Sequence, residues 1–377
     1  GSALTGLDVL EAGGFSELKG KRVGIVTNPS GLDRSGRRNV DLMVQAGVKV
    51  VALFSPEHGW AGAVDLPGIA DTVDGATGIK VYSLFGETLR PTPKMLDGLD
   101  VLVYDVQDVG VRFYTFETTM AYCLQVTAKA GSPFMVLDRP NPITGVRVEG
   151  PPLDGGSTSF VGYFAGMPVR HGMTMGELAR MYNGENKLGA KLEVVAMKDW
   201  DRGDWFDSTG LTWVNPSPNM RSLTAAALYP GVCLVEYTPN LSVGRGTDAP
   251  FEQIGSESLD GPELAAYLNR RQVPGIRFYA TRFTPTESRF AGQSIPGVRM
   301  VITDREQLNA ARLGLELWSA LVKLYPGKFD IDRAVPLIGG AGVIKRLKEG
   351  QDPEEVEDSY RAEVEAFVKV RAKYLLY

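Results

Sequence analysis

Short apolar runs recur along the first 140 residues, and they are continuous rather than alternating. "KRVGIVT" (21–27), "VKVVALFS" (48–55), "LDVLVYDVQ" (99–107) and "PFMVLD" (133–138) each read as a strand buried on both faces. Between them lie segments of helical period that glycine ends: "RNVDLMVQAG" (38–47) and "TTMAYCLQVTAKAG" (118–131). Buried strands alternating with helices predict a parallel sheet covered on both sides, a doubly wound, Rossmann-like α/β architecture.

The second half is patterned differently. Residues 187–225 are irregular and rich in Trp, Asp, Asn and Pro, as expected of a long functional loop or an interdomain crossing. Beyond it, "GVCLVEY", "GIRFYATRF" and "VRMVITD" read as strands, and 260–271, 304–324 and 353–374 as helices. This predicts a catalytic Rossmann-like domain over 1–222 and a smaller C-terminal α/β domain over 223–377 that closes a cleft. Thr174 with Glu177, Asp304 with Gln307 and Asp352 with Glu355 have capping-box spacing, so Glu177 and Glu355 are set aside as helix caps.

Composition narrows the function classes. A net charge of -5 with both signs interspersed excludes the basic face that a nucleic-acid or anionic-membrane binder needs. No apolar run reaches the length of a membrane span. Cys123 and Cys233 sit far apart in apolar stretches and read as buried free thiols. Gly1-Ser2 reads as a remnant of protease cleavage, so the lack of a signal peptide says nothing about export.

In an open parallel sheet, ligands bind beyond the carboxyl ends of the strands. The four segments that follow the strands are "TNPSGLDRSG" (27–36), "SPEHGWAG" (55–62), "DVQDVGVRFYT" (105–115) and "DRPNPITG" (138–145), all polar and rich in Gly or Pro. Neither G-x-G-x-x-G after the first strand nor G-x-x-x-x-G-K-[ST] anywhere is present, which argues against a nucleotide site. A serine triad lacks its G-x-S-x-G elbow. A metal site could draw on Glu57, His58, Asp105, Asp108 and Asp138. The chain has two histidines, however, and His171 stands in another context, so no metal ligand and no cofactor is assigned.

Carboxylate chemistry remains. Glu57 follows an apolar strand between Pro56 and Trp60, and a carboxyl beside apolar walls is suited to a general acid. Asp105 and Asp108, from the next strand end, could supply a second carboxylate, the pairing that glycoside cleavage uses. Trp60, Phe113 and Tyr114 could stack on a sugar face. A cap, or an ion pair with Arg112, is the structural alternative for Glu57.

"LFSPEHGWAG", "YDVQDVGVRFYTF", "VLDRPNPITG", "VEGPPLD", "PVRHGMTMGELA", "WVNPSPNM" and "VGRGTDAPFEQIG" occur in order from about Leu7 to the C-terminus. Together they resemble the bacterial DUF1343 family, which includes the NamZ-type exo-β-N-acetylmuramidases of glycoside hydrolase family 171. The resemblance implies hydrolysis of terminal β-1,4-linked N-acetylmuramic acid from the non-reducing end of peptidoglycan fragments, so that muramyl saccharides are the partners. It implies that Glu57, in "PEHG", is the acid/base and His58 its neighbour or a substrate contact. A secreted or periplasmic place of work follows from it, with a cytoplasmic one on recycled fragments left open. Many members carry an arginine where Ala61 stands, which leaves sugar specificity open, and a non-catalytic glycan-binding protein or a metal-dependent hydrolase of another bond remains the alternative.

Two expectations follow from the substrate's chemistry. N-acetylmuramic acid carries a lactyl carboxylate, so Arg139, Arg170 or Arg245 is expected to clamp it. Its 2-acetamido group could act as an internal nucleophile oriented by Asp105 or Asp108. Asn28, Gln107, Arg112, Tyr114, Asn141, His171 and Asn219 in these loop motifs, and Glu236 just before the loop "TPNLSVGRGT", complete the candidate substrate contacts.

Overall fold

The computed structural model describes residues 2–377. Seven strands, β1 (Arg22–Thr27), β2 (Lys49–Ser55), β3 (Thr72–Val73), β4 (Lys80–Ser83), β5 (Val101–Asp105), β6 (Phe134–Leu137) and β7 (Leu192–Val195), form one sheet in the order β3-β4-β2-β1-β5-β6-β7. All neighbours are parallel except β3 with β4. The continuous apolar runs have a simple cause. Val23, Ile25, Leu53, Val101, Val103, Met135 and Leu137 face one core with Leu7 and Leu10. Val26, Phe54, Leu102, Tyr104, Phe134 and Val136, their alternates, face the other. With both faces covered, the middle of each central strand is apolar and polar residues fall at the strand ends, as Thr27, Ser55 and Asp105 do.

The second core extends into the C-terminal half. There β8 (Gln253–Gly255), β9 (Ile276–Phe283) and β10 (Ile295–Ile302) form an antiparallel sheet in the order β8-β10-β9. Helices Leu223–Val232 and Ala310–Leu324 cross at a glycine contact: a Cβ at Gly231 would lie 2.1 Å from the Ala310 carbonyl, and one at Gly314 would lie 2.7 Å from that of Gly231. Trp318 Nε1 donates to the Leu234 carbonyl at 2.8 Å and ties the same pair together.

Three sequence readings need correction. "GVCLVEY" is not a strand; it is the end of helix Leu223–Val232 and a 3-10 turn, Cys233–Val235. Ser222 caps that helix by accepting from Ala225 N, and a fully apolar run does not tell a buried helix from a buried strand. The helix expected from 304 begins at Ala310, where Asn309 is the cap, while Asp304 closes a turn by accepting from Glu306 N. The helix expected over 353–374 breaks at Tyr360 into Pro353–Ser359 and Arg361–Ala372, and Asp352 caps the first through Glu354 N rather than in a box with Glu355. The box of Thr174 with Glu177 is present. Cys123 and Cys233 are free and buried.

Helix Arg361–Ala372 and the residues after it pack on the first half. Arg371 donates to the carbonyls of His171 and Gly145, at 3.1 and 2.5 Å, and Tyr377 Oη donates to Asp138 Oδ2 at 2.6 Å.

Candidate active site

Glu57 sits in the turn that ends β2. The Gly59 amide donates to the Pro56 carbonyl, and His58 and Gly59 both adopt left-handed backbone, with φ of 75° and 79°. A non-glycine residue there costs strain, so something must hold it. His58 is held by a double clasp. Its Nδ1–H donates to the Val64 carbonyl at 2.8 Å, and the Val64 amide donates back to the His58 carbonyl at 3.3 Å. The histidine beside the acid therefore closes the loop that carries Asp65.

Thr115 Oγ1 donates to Glu57 Oε1. Thr115 directly precedes helix Phe116–Ala130, so the loops after β2 and β5 fix the acid from two sides. The cavity beside Glu57 has an aromatic wall: Phe113 and Tyr114 lie edge-on to Tyr229 with centroids 5.3 and 5.8 Å apart, and Tyr229 meets Phe251 at 4.8 Å. Tyr114 Oη donates to Ser217 Oγ at 2.6 Å.

The opposite wall is ionic. Arg245 binds Glu236 through Nε at 2.5 Å and through a terminal nitrogen at 3.0 Å, a bidentate pair. Burial opposes the Arg245 charge, but Glu236 overrides it and holds the guanidinium above its usual range. Burial likewise opposes the Glu236 charge, and Arg245 keeps that carboxyl below the usual range. The remaining Arg245 nitrogen donates to Asp65 Oδ2 at 3.0 Å, where Asn219 Nδ2 also donates at 3.0 Å.

Glu57, His58, Tyr114, Asn219 and Arg245 therefore converge, and Glu236 stands behind Arg245. The other candidates do not reach this cavity. Asp105 is fully buried; Arg139 donates to it at 2.6 and 3.0 Å and Asn39 at 2.8 Å, so both its oxygens are taken. Arg139 is held in the same pair and does not line the cavity beside Glu57. Arg170 is spent on Glu149, at 3.0 Å, and on the Ile143 carbonyl. Arg112 donates to the carbonyls of Pro151, Met167 and Leu337, pinning the two halves together, and burial pushes its guanidinium down to about 9. Trp60 turns away to Asp74, with Arg38 over its ring. Asn141 braces the Met173 carbonyl and the Ile143 amide. Asn28 holds the Pro216 carbonyl, while Gln107 and Arg139 line a separate cavity of about 170 Å³ at the β1/β5 crevice.

Asp108 and His171 belong to a buried cluster with Glu117. The Met173 amide donates to His171 Nδ1 at 3.1 Å, so the proton of the neutral ring is on Nε2, which donates to Glu117 Oε2 at 2.8 Å. That tautomer turns an N–H, not a lone pair, toward the carboxylates, so the histidine is no metal ligand here. Asp108 Oδ1 and Glu117 Oε1 are buried without a hydrogen-bond partner, and burial favours the neutral form of both carboxyls. Neither Asp108 nor Asp105 is therefore placed to orient a substrate acetamide. Glu57, His58, Asp105, Asp108 and Asp138 do not converge as a metal set either, since Thr174, Gly176 and Tyr377 all bind Asp138.

This cluster sets a pH dependence. Burial raises Glu117 to about 8 and Asp108 well above the carboxylate range, and it lowers His171 to about 4. Between about 4 and 6.5 the unfolded chain binds a histidine proton that the fold refuses, so this contribution increases stability with rising pH. The acids act oppositely, because the fold keeps a proton that the unfolded chain has released, and stability falls as pH rises. Above pH ~6.5 the histidine contribution is complete and only the acids' fall remains. Urea midpoints are expected to drop between pH 6.5 and 8, and the double variant Asp108→Asn/Glu117→Gln is expected to flatten that drop.

Sequence reasoning missed Asp65, Thr115, Ser217 and Tyr229. Thr115 was in reach, because it follows Tyr114 in a strand-end loop. Asp65 carries no periodic or motif signal.

A glutamate gripped at a strand end, facing an aromatic wall and an ion-paired arginine, is an arrangement suited to glycoside hydrolysis on an α/β frame. The chain belongs to the NamZ family: the family model "Exo-beta-N-acetylmuramidase NamZ, N-terminal" matches residues 23–224 and its C-terminal counterpart residues 227–377. It is 42% identical to the peptidoglycan β-N-acetylmuramidase NamZ of Bacillus subtilis (strain 168), over 99% of this chain and 91% of that protein. Two crystal structures of DUF1343 family proteins from Bacteroides fragilis NCTC 9343 superpose on it. One has a TM-score of 0.92 at 35% identity and the other 0.81 at 31%, each covering 100% of this chain and 99% of that one.

Proposed function

We propose that this protein releases terminal β-1,4-linked N-acetylmuramic acid from the non-reducing end of peptidoglycan fragments, with Glu57 as the general acid. The observation that carries the reading is the grip on Glu57: Thr115 occupies Oε1, which leaves Oε2 to hold a proton for the departing sugar oxygen. The aromatic wall offers apolar surface for a pyranose face. His58 acts as the clasp of its loop rather than as a proton carrier. A peptidoglycan substrate supports work outside the cytoplasmic membrane, and no helix among the described residues is long and apolar enough to cross one.

The test compares release of 4-nitrophenol from the β-N-acetylmuramide and from the β-N-acetylglucosaminide, with and without EDTA. Muramide-selective turnover that survives EDTA is expected. Turnover of neither sugar overturns the reading in favour of a glycan-binding protein, and loss in EDTA overturns it in favour of metal-dependent hydrolysis.

A further inference from the structure

The cavity that holds Glu57 measures about 70 Å³. Ligand pockets usually exceed roughly 300 Å³, so this one does not accept a pyranose as it stands. A second cavity of about 250 Å³ adjoins it, lined by Asp65, Glu236, Tyr237, Arg245, Ser288 and Arg289 among others. Asp65 and Arg245 line both cavities. Their ion pair is the partition between them.

The charges at this partition are unbalanced in a telling way. Arg245 and Glu236 neutralise each other, and Arg289 adds a further positive charge. Arg289 donates to the carbonyls of Glu236, Thr238 and Leu241, none of which is anionic. Without Asp65 the wall carries one net positive charge. Asp65 supplies the matching anion, and it comes from a surface loop with a side chain 36% exposed. That loop is anchored on either side, by the His58–Val64 clasp and by the Ile69 amide on the Phe85 carbonyl at 2.9 Å. The tip between these anchors, Asp65-Leu66-Pro67-Gly68, exposes Leu66 at 71% and bends at Gly68 with φ of 76°. A tip so held can withdraw Asp65 without disturbing Glu57.

We infer that the Arg245–Asn219 corner is a carboxylate-binding subsite, that Asp65 occupies it as an internal stand-in, and that the acid group of the ligand displaces Asp65 and thereby merges the two cavities. This rests on the muramidase reading, in which the ligand's acid group is the lactyl carboxylate. N-acetylglucosamine, which has no carboxylate, leaves the partition shut. Selectivity then comes from opening the cleft as well as from contact with it.

Calorimetry of the full-length protein with N-acetylmuramic acid and with N-acetylglucosamine tests this without turnover. A partly exposed ion pair is worth up to ~1 kcal/mol, so Asp65→Ala is expected to tighten N-acetylmuramic acid about fivefold. Arg245→Lys, which keeps the charge that Glu236 needs, is expected to weaken it about tenfold through loss of the planar fork. N-acetylglucosamine should be indifferent to Arg245→Lys and should gain from Asp65→Ala only what the opened partition gives. KM values on the two nitrophenyl glycosides should move in the same directions. Equal effects of Arg245→Lys on both sugars overturn the inference, as does weaker binding of N-acetylmuramic acid by Asp65→Ala or a loss of kcat of about 100-fold at unchanged KM, which would make Asp65 a catalytic group. Absence of N-acetylmuramic acid binding by wild type and variant alike also overturns it. Lack of nitrophenyl turnover with calorimetric selectivity intact counts against the hydrolytic reading alone.

Discussion

Glu57→Gln is expected to lower kcat on a β-1,4-linked N-acetylmuramyl disaccharide by roughly 10²- to 10⁴-fold, the usual contribution of a positioned acid. The glutamine oxygen still accepts from Thr115, so the turn after β2 and the urea midpoint should be unchanged. The loss should be smaller on the 4-nitrophenyl glycoside, because an acidic phenol departs with little help while a sugar alkoxide needs the proton. That contrast is what identifies the acid. An equal loss on both substrates would assign Glu57 to attack on the anomeric carbon or to activation of water.

The largest effect on stability is expected from Asp105→Ala. It strips Arg139, itself buried, of its carboxylate partner and leaves a charge without compensation at the centre of the sheet edge. Breaking a buried pair from one side costs about 3–5 kcal/mol, whereas exchanging both partners for apolar groups of similar volume is often close to neutral. Urea unfolding of Asp105→Ala should therefore show a large fall in midpoint, and Asp105→Leu/Arg139→Met should recover much of it. Activity per folded molecule should hold in both. A loss of kcat in the still-folded fraction would return Asp105 to the reaction.

Asp105 also shows where reading the sequence stops. Its position at a strand end is plain from "LDVLVYD", and strand ends are where ligands bind. The direction of its side chain is another matter, because it depends on Arg139 and Asn39, which are brought to it by other elements. The place of Glu57 in the turn after β2 was legible because the apolar run of the strand leads straight into it. The parallel sheet was legible because two-sided burial leaves uninterrupted Val, Ile and Leu. The same uninterrupted pattern misled at "GVCLVEY", where burial on all sides belongs to a helix. The far wall of the cleft was the least legible part: Asp65 and Arg245 lie 180 residues apart, and only the docking of the two halves sets them face to face.

The segment Arg361–Ala372 and the residues after it have a consequence for how the protein is made. Arg371 and Tyr377 satisfy buried acceptors at Gly145, His171 and Asp138, all in the first half of the chain. Domains commonly fold as they leave the ribosome, N-terminal first. Here those acceptors lie in the first half, and their donors come from a segment that translation delivers more than 200 residues after Gly145. A first half made without the helix Arg361–Ala372 lacks the donors for those acceptors, so that helix is what closes it.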